Sequence, residues 1–142
     1  MTSANIQVKI VVVGSSNIDL LTKINTFPRL GETLLGESFQ MGFGGKGANQ
    51  AVMASLFGAQ VTMVTKLGRD YFGEITVRNF QEFGIDPNFI LFDEEESSGV
   101  APIFVDPNGN NMIVVVPGAN MKLTPQEIVA LSRPIQSANA II

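Results

Sequence analysis

The sequence has 142 residues, 45% of them hydrophobic, and a net charge of −4, which indicates one globular domain or part of a larger one. It contains neither cysteine nor histidine, which excludes a disulfide framework, thiolate chemistry, Ser-His-Asp triads and the usual zinc sites. No basic cluster points to nucleic acid or an anionic membrane, and no apolar run approaches the roughly 18 residues of a membrane-spanning helix. No signal peptide is visible, so the cytoplasm is the expected location.

The first predicted element is a strand at Val8–Val13, which is almost entirely β-branched and apolar, as in a parallel strand buried on both faces. Asn17, Ile18 and Asp19 follow just beyond its carboxyl end, where open α/β sheets bind their ligands. Asn17 and Asp19 carry groups that can hydrogen-bond a polyol. A plain Asx turn is the alternative interpretation.

The next segment has the pattern of an exposed sheet. Leu20–Phe27 alternates weakly, a turn follows at Pro28–Gly31, and Thr33–Met41 is an extended run. Apolar residues share one face of this run with Glu37, and small or polar residues occupy most of the other face. Such mixed faces favour an exposed antiparallel sheet over a central strand.

The stretch Met41–Ala59 is the strongest functional signal in the sequence. Several glycines and Lys46 precede a run of small residues that predicts a helix. The glycines are Gly42, Gly44, Gly45 and Gly47. A glycine-rich loop at a helix N-terminus favours oxygen-rich or anionic ligands, so we expect this stretch to bind a polar small molecule.

The same stretch suggests two nucleotide motifs that fit it poorly. The run from Gly42 to Gly47 has the pattern G-x-G-x-x-G of dinucleotide-binding folds, which requires a buried parallel strand before it. The preceding run is polar and interrupted by a glycine, so a dinucleotide-dependent oxidoreductase is a minor alternative. A Walker A loop is excluded because Lys46 is followed by glycine instead of Ser or Thr. A purely structural glycine turn remains the simplest alternative.

Helices and strands then alternate along the chain. Gly47–Phe57 predicts a helix, Gln60–Leu67 a parallel strand, and Tyr71–Phe83 a second helix that Asp70 caps. This order is typical of a doubly wound sheet.

A hairpin is predicted in the next part of the chain. Phe89–Phe92 predicts a short strand, and the four acids that follow, Asp93–Glu96, could form a metal site or, more simply, a solvated loop. Ser98–Val105 and Asn111–Val116 flank an Asn-Gly turn, and Pro102 indicates an edge or bulged position. We expect this hairpin to join the 20–41 segment in a small antiparallel sheet outside the main layer.

The last elements are a helix and a strand. Thr124 to Glu127 forms a capping box with proline at the first helical position, which predicts a helix over Pro125–Leu131. Ala138–Ile142 begins another apolar strand. Because the sequence ends within that strand, we expect the chain to be the N-terminal portion of a longer protein.

Several groups of residues have the form of family motifs. They are Asn17-Ile18-Asp19, Pro28–Thr33 (PRLGET), Gly44–Ala51 (GGKGANQA), Lys66–Asp70 (KLGRD) with Phe72-Gly73, Ser98–Ala101 (SGVA) and Pro117–Asn120 (PGAN). With these motifs the chain resembles the ribokinases of the PfkB carbohydrate kinase family over essentially its whole length. The GGKGANQA form is specific within that family, and deoxyribokinases share it. The resemblance implies a ribokinase-like three-layer α/β fold with helices on both faces, plus a small antiparallel β lid formed by segments 20–41 and 98–116.

The resemblance also implies a sugar site in two segments. The first would contain Asn17, Ile18 and Asp19, and the second Gly45, Lys46, Gly47, Ala48 and Asn49. Asp19 and Asn49 would hold sugar hydroxyls, and Lys46 a ring or hydroxyl oxygen. The implied reaction is ATP-dependent phosphorylation of D-ribose to ribose 5-phosphate, with Mg²⁺ and K⁺ as activating ions. The lid would cover the sugar and pair two subunits into a homodimer.

The family's second signature, a Gly-Ala-Gly-Asp run that carries the catalytic base and anion hole, is missing from the sequence. We therefore expect the base, most of the ATP site and the cation site to lie beyond Ile142. No catalytic residue or metal ligand is assigned to this chain, and its 142 residues alone are expected to be inactive. The alternatives are another PfkB sugar kinase, such as a deoxyribokinase, or a non-catalytic sugar-binding or dimerising fragment.

Overall fold

The computed structural model describes residues 7–142, which form two sheets and their flanking helices. The strands are β1 (Lys9–Val13), β2 (Asn17–Lys23), β3 (Ser38–Gly44), β4 (Gln60–Gly68), β5 (Ile90–Asp93), β6 (Gly99–Val105), β7 (Asn111–Ile113) and β8 (Ala140–Ile141). The helices are α1 (Lys46–Leu56), α2 (Tyr71–Glu82), α3 (Pro125–Ala130) and α4 (Ser132–Ser137), with short 3₁₀ helices at Pro87–Phe89 and Gly118–Lys122. No helix in this range is long and apolar enough to cross a membrane.

The central sheet is parallel and has the strand order β5-β4-β1-β8. Helices α1 and α2 cover one face, where Val12, Met63 and Phe80 belong to a common buried core. Parallel crossovers are almost always right-handed, which puts α3 and α4 on the opposite face, and α4 contacts β1. The predicted doubly wound sheet with helices on both faces is therefore confirmed.

The second sheet has the order β3-β2-β6-β7 and lies outside the central layer. The expectation of a purely antiparallel sheet is wrong in one respect, because β2 and β6 pair in parallel while the two outer pairs are antiparallel. Asn17, Ile18 and Asp19 begin β2, so they belong to this sheet and do not form an isolated turn.

The extended run predicted over Thr33–Met41 becomes a strand only at Ser38 and continues to Gly44. Strand β2 ends at Lys23, which pairs with Ser38 and also accepts from Glu37 N at 2.8 Å, and the residues before Glu37 have no neighbouring strand to pair with. Leu35, for example, is 93% exposed in the connecting loop. The extended pattern of residue types therefore begins several residues before the point at which β3 starts to pair with β2.

The expectation that Pro102 marks an edge or bulged position is wrong, because β6 lies between β2 and β7. The pairs Ile103–Ile113 and Val100–Val116 share one register, so the strand contains no bulge between them. Pro102 still accepts a hydrogen bond from Val114 N at 3.1 Å, but it has no N–H to donate in return. The sheet tolerates the proline by losing one bond to its short outer strand.

The predicted helix caps at Asp70 and Thr124 are confirmed. The Asp70 carboxylate accepts from Gly73 N at 2.8 Å at the start of α2. Thr124 and Glu127 form both bonds of the predicted capping box at the start of α3. These local signals depend on residues three positions apart, which is why the sequence indicates them directly.

The acidic run Asp93–Glu96 forms a loop whose carboxylates meet nearby cations. Asp93 lies 3.5 Å from the buried ammonium of Lys66, which also donates to Glu127 at 2.8 Å. The hydrogen bond to Glu127 holds the pKa of Lys66 above its ordinary value. Within residues 7–142, no group of three or more acidic side chains converges on a possible metal position.

Candidate functional site

The candidate site lies where the carboxyl end of β1 meets the second sheet and the N-terminus of α1. Gly14, Ser15 and Ser16 connect β1 to β2. Alternation along β2 places Asn17 and Asp19 on the same face of the second sheet. Parallel pairing with β6 then places Ala101 beside Asp19 on that face.

An open cavity of about 450 Å³ lies at this face. Its polar lining comes from Ser15, Asn17, Asp19, Lys46 and Asn49, together with Gly45. Its apolar lining comes from Ala101, Ile103, Ile113 and Val115 of the hairpin segment. Polar groups therefore converge from the β1–β2 connection and α1, opposite a hydrophobic wall, as expected for a small polar ligand with a carbon skeleton.

Gly45 sets the entry into α1. Its φ is +93°, and a Cβ at this position would lie 2.7 Å from Ser15 O. The close approach brings Ala48 N within 3.0 Å of that same carbonyl, where it donates a hydrogen bond. Among the described residues, the backbone N–H of Lys46 has no acceptor, so the helix N-terminus keeps one donor beside the cavity for a ligand.

Asp19 carries an ionisable carboxylate for which residues 7–142 provide no hydrogen bond or ion pair. The carboxylate lies against Gly44, where a side chain would overlap it. Partial burial raises the pKa of Asp19 above its ordinary value. A desolvated acceptor that faces a cavity without a protein donor is available to a ligand.

The structure brings five of the predicted site residues to the cavity: Asn17, Asp19, Gly45, Lys46 and Asn49. The other three do not line it. Ile18 is 1% exposed and belongs to the opposite face of β2, while Gly47 and Ala48 are buried in the first turn of α1. Gly47 and Ala48 instead join the start of α1 to the β1–β2 connection, since Gly47 lies against Gly14 and Ala48 N donates to Ser15 O.

Sequence reasoning missed the hydrophobic wall and the contact made by Asn120. Alternation within the predicted hairpin could have indicated a common face for Ile103 and Ile113, which pair directly. The sequence indicates Asn120 only as the last residue of the motif Pro117–Asn120 (PGAN). Its side chain contacts the Ser16–Asn17 segment, which is 103–104 residues earlier in the chain, and no local pattern predicts that contact.

Replacing Gly45 with alanine is expected to destabilise the protein by roughly 1–3 kcal/mol, because it combines a strained φ with overlap against Ser15 O. The measurement is urea unfolding. The matched control is Gly58→Ala, which has a similar φ of +87° with no atom within 4 Å of the added Cβ. Equal losses in the two variants would show that crowding at Ser15 contributes nothing.

Comparison with known proteins matches residues 7–142 to the pfkB family carbohydrate kinase. The chain is 42% identical to the deoxyribokinase of Salmonella typhi and 39% identical to the ribokinase of Dictyostelium discoideum, in each case over 133 residues and 94% of the chain. The structure of Arabidopsis thaliana ribokinase complexed with ribose and ATP matches with a TM-score of 0.83 and 28% identity, over 96% of the chain and 45% of that structure. The chain spans 44% and 42% of the length of the two curated relatives.

Proposed function

Because the chain belongs to the pfkB family of carbohydrate kinases, we propose that it forms the sugar-binding part of an ATP-dependent kinase that phosphorylates D-ribose on its 5-hydroxyl. The observation that carries the proposal is the cavity at which Lys46, two asparagines and the Asp19 carboxylate meet, the carboxylate having no partner among residues 7–142. The ribokinase of Arabidopsis thaliana, which has the same fold in this region, was solved with ribose and ATP.

Each polar group of the cavity suits a different part of a pentose. The ionised Asp19 accepts from sugar hydroxyls, and charge-assisted hydrogen bonds of this kind are the stronger ones. Asn17 and Asn49 offer amide donors and acceptors, and Lys46 adds a cation beside the ring or hydroxyl oxygens. The wall of Ala101 and Ile103 packs against the carbon skeleton. Together these groups would orient the sugar, and positioning is a principal part of phosphoryl-transfer catalysis.

ATP is the phosphoryl donor in this proposal, with Mg²⁺ and K⁺ as activators of the whole protein and the cytoplasm as its location. When bound, Mg²⁺ neutralises charge on the phosphates. The acidic side chains of residues 7–142 form no metal cluster, so this part of the chain does not fit the role of holding either ion. What these residues do is bind the sugar, orient its hydroxyls and exclude water from one side of it.

A deoxyribokinase is the second candidate, favoured by the 42% identity to the deoxyribokinase of Salmonella typhi. The two activities differ in the substrate's 2-hydroxyl. A site that hydrogen-bonds that hydroxyl discriminates strongly against the sugar that lacks it, because its own polar groups are then left unpaired. The ratio of kcat/KM for D-ribose and 2-deoxy-D-ribose separates the two assignments.

The test is a coupled assay of ADP release by the protein that carries this chain, with ribose, 2-deoxyribose and fructose as substrates. We expect the highest kcat/KM with ribose. A preference for deoxyribose would support the second candidate, and no turnover with any of these sugars would contradict both. Calorimetric titration of the 142-residue chain with ribose tests the remaining alternative, in which these residues bind sugar without catalysing its phosphorylation.

We also propose that the second sheet acts as a lid and pairs two subunits. Its face opposite the cavity carries largely apolar rows across the sheet, and two of these rows are Phe39-Thr22-Phe104-Met112 and Met41-Leu20-Pro102-Val114. Phe39 is 63% exposed and Met41 is 45% exposed. A second copy of the same face would remove this surface from water.

The pairing predicts a homodimer in analytical ultracentrifugation at micromolar concentration. Met41→Glu places a charge within the apolar face and is expected to yield a monomer, because an unpaired buried charge opposes association. Leu35→Glu is the matched control, since Leu35 is exposed in the loop and belongs to neither row. A monomeric wild-type protein would refute the pairing, as would a Met41→Glu variant that still dimerises.

A further inference from the structure

Asn120 lies outside both segments of the predicted sugar site, yet it contacts one of them closely. It belongs to the 3₁₀ helix Gly118–Lys122 and its side chain reaches the connection between β1 and β2. Ser16 N donates to Asn120 Oδ1 at 2.9 Å. Asn120 Nδ2 donates to Ser16 O at 3.0 Å, to Asn17 Oδ1 at 3.0 Å and to Pro117 O at 2.9 Å.

These bonds fix the orientation of two carboxamides. A backbone N–H can only donate, so the Asn120 atom that faces Ser16 N must be the oxygen. The other terminal atom of Asn120 is then its nitrogen, whose two hydrogens are shared among Ser16 O, Pro117 O and the Asn17 atom opposite it, so an acceptor is favoured there over a second N–H₂ group. The oxygen of Asn17 therefore faces Asn120, and its Nδ2 is the group left over. No acceptor for that Nδ2 exists among residues 7–142.

The contact between Asn17 and Asn120 depends on the absence of a side chain at Gly99. Gly99 pairs with Asn17 in the parallel register of β2 and β6. A Cβ at Gly99 would overlap both Asn17 Oδ1 and Asn120 Nδ2. The absence of a side chain at this position allows the two asparagines to meet beneath the cavity.

The helix that carries Asn120 is held in place independently of the cavity. Ala119 is fully buried and its N–H donates to Ser97 O at 2.8 Å. The buried ammonium of Lys66 donates to Lys122 O at 3.2 Å. Asn120 is thus anchored to the central sheet, whereas Lys46 and Asn49 on the other side of the cavity are exposed.

We propose that Asn120 is a positioning residue for the sugar site, which holds the Asn17 carboxamide so that its N–H₂ group is presented to a sugar oxygen. The proposal rests on the proposed function, since it takes the cavity ligand to be a pentose. Asn120 touches no substrate itself. The Ser16 N–H fixes which way the Asn120 amide is turned, and the Asn120 amide in turn fixes the Asn17 amide. Asn17 therefore presents a hydrogen-bond donor to the cavity, beside the acceptor Asp19.

The test uses Asn120→Asp in the protein that carries this chain. The new carboxylate still accepts from Ser16 N but cannot donate to Asn17, so the Asn17 amide turns or loses its partner. We expect the KM for D-ribose to rise about tenfold, with the KM for ATP unchanged within about twofold. Asn17→Asp keeps an acceptor for Asn120 but removes the donor to the sugar, and it should give a similar rise. Met121→Ala, at an exposed position on the same 3₁₀ helix, is the control and should leave both constants unchanged.

A double-variant cycle separates positioning from a general loss of structure. In an Asn17→Ala background, Asn120→Asp should add little further rise in the KM for ribose, because the residue through which it acts is gone. The same rise in both backgrounds would overturn the proposal, and so would an unchanged KM in Asn120→Asp. If that variant does not fold, Gly99→Ala separates the two amides while keeping both, and the same outcomes apply. A wild-type protein that uses no pentose would contradict the proposed function itself, whereas normal ribose use by a folded Asn120→Asp variant would contradict this inference alone.

Discussion

Asp19→Ala is expected to raise the KM for ribose about tenfold to a hundredfold in the protein that carries this chain, with the KM for ATP almost unchanged. The reason is that Asp19 has no protein partner among the described residues, so its carboxylate oxygens can accept hydrogen bonds from the ligand in the cavity. A lost hydrogen bond to a charged group costs about 1.5–3 kcal/mol, and each 1.4 kcal/mol is about a factor of ten in affinity. Steady-state kinetics with each substrate varied in turn provides the measurement.

The stability of an Asp19 variant distinguishes a ligand-binding carboxylate from a structural one. Burial raises the pKa of Asp19, so the folded protein holds this proton more tightly than the unfolded chain does. Ionisation of Asp19 as the pH rises through that pKa therefore opposes folding. Asp19→Asn should accordingly unfold at the same or a higher urea concentration than the wild type at pH 7, while sugar use falls. Asp86→Asn, which neutralises an exposed aspartate away from the cavity, should change neither property. Equal losses of ribose and ATP affinity, or a large loss of stability, would contradict the assignment.

The sequence indicated those parts of the fold that depend on nearby residues. The β-branched run of β1 marks a buried parallel strand, Asp70 marks the start of α2, and Thr124 with Glu127 marks the start of α3. In each case the cause lies within a few residues of its effect. The glycine-rich run before α1 was identified for the same reason, since Gly45 alone permits the backbone angle that the turn requires.

The remaining parts depend on partners that are distant in the chain. Thr33–Met41 has the pattern of one extended run with mixed faces, but only the residues from Ser38 onward pair with β2. Pro102 lies in an interior strand, where its missing N–H costs one hydrogen bond to Val114, just beyond the short outer strand β7. The parallel pairing of β2 with β6 joins segments separated by about 80 residues, as the register of Asn17 with Gly99 shows. No periodicity within a single segment specifies such pairings.

Asp70→Ala is expected to cost about 2–4 kcal/mol of stability, a large loss for a polar side chain that is only partly buried. Asp70 caps α2 through Gly73 N, and it also accepts from Ser98 N at 2.8 Å and from Ser98 Oγ at 2.7 Å. Loss of the cap costs about 1 kcal/mol, and a buried Ser98 N–H left without an acceptor costs about 1–3 kcal/mol more. Because Ser98 immediately precedes β6, the variant should loosen the attachment of the second sheet to the central one. Urea unfolding measures the total, and hydrogen exchange of the β6 amides measures the local effect.

Two variants and a pH series separate the contributions at this site. Asp70→Asn keeps an acceptor for Gly73 but replaces the second oxygen with a donor, so it should lose the Ser98 N contact and retain the cap. Asp86→Ala removes an exposed aspartate cap from Pro87–Phe89 and should cost no more than about 1 kcal/mol.

Burial tends to raise the pKa of Asp70, but the hydrogen bonds from Ser98 and Gly73 outweigh it and bring the pKa below its ordinary value. The stabilisation is therefore complete at neutral pH and is lost as the pH falls from about 4 through that lowered pKa. The difference in unfolding free energy between wild type and Asp70→Ala should narrow over this range, and a difference that stays constant down to the acid transition would show that the charge of Asp70 is not what joins the two sheets.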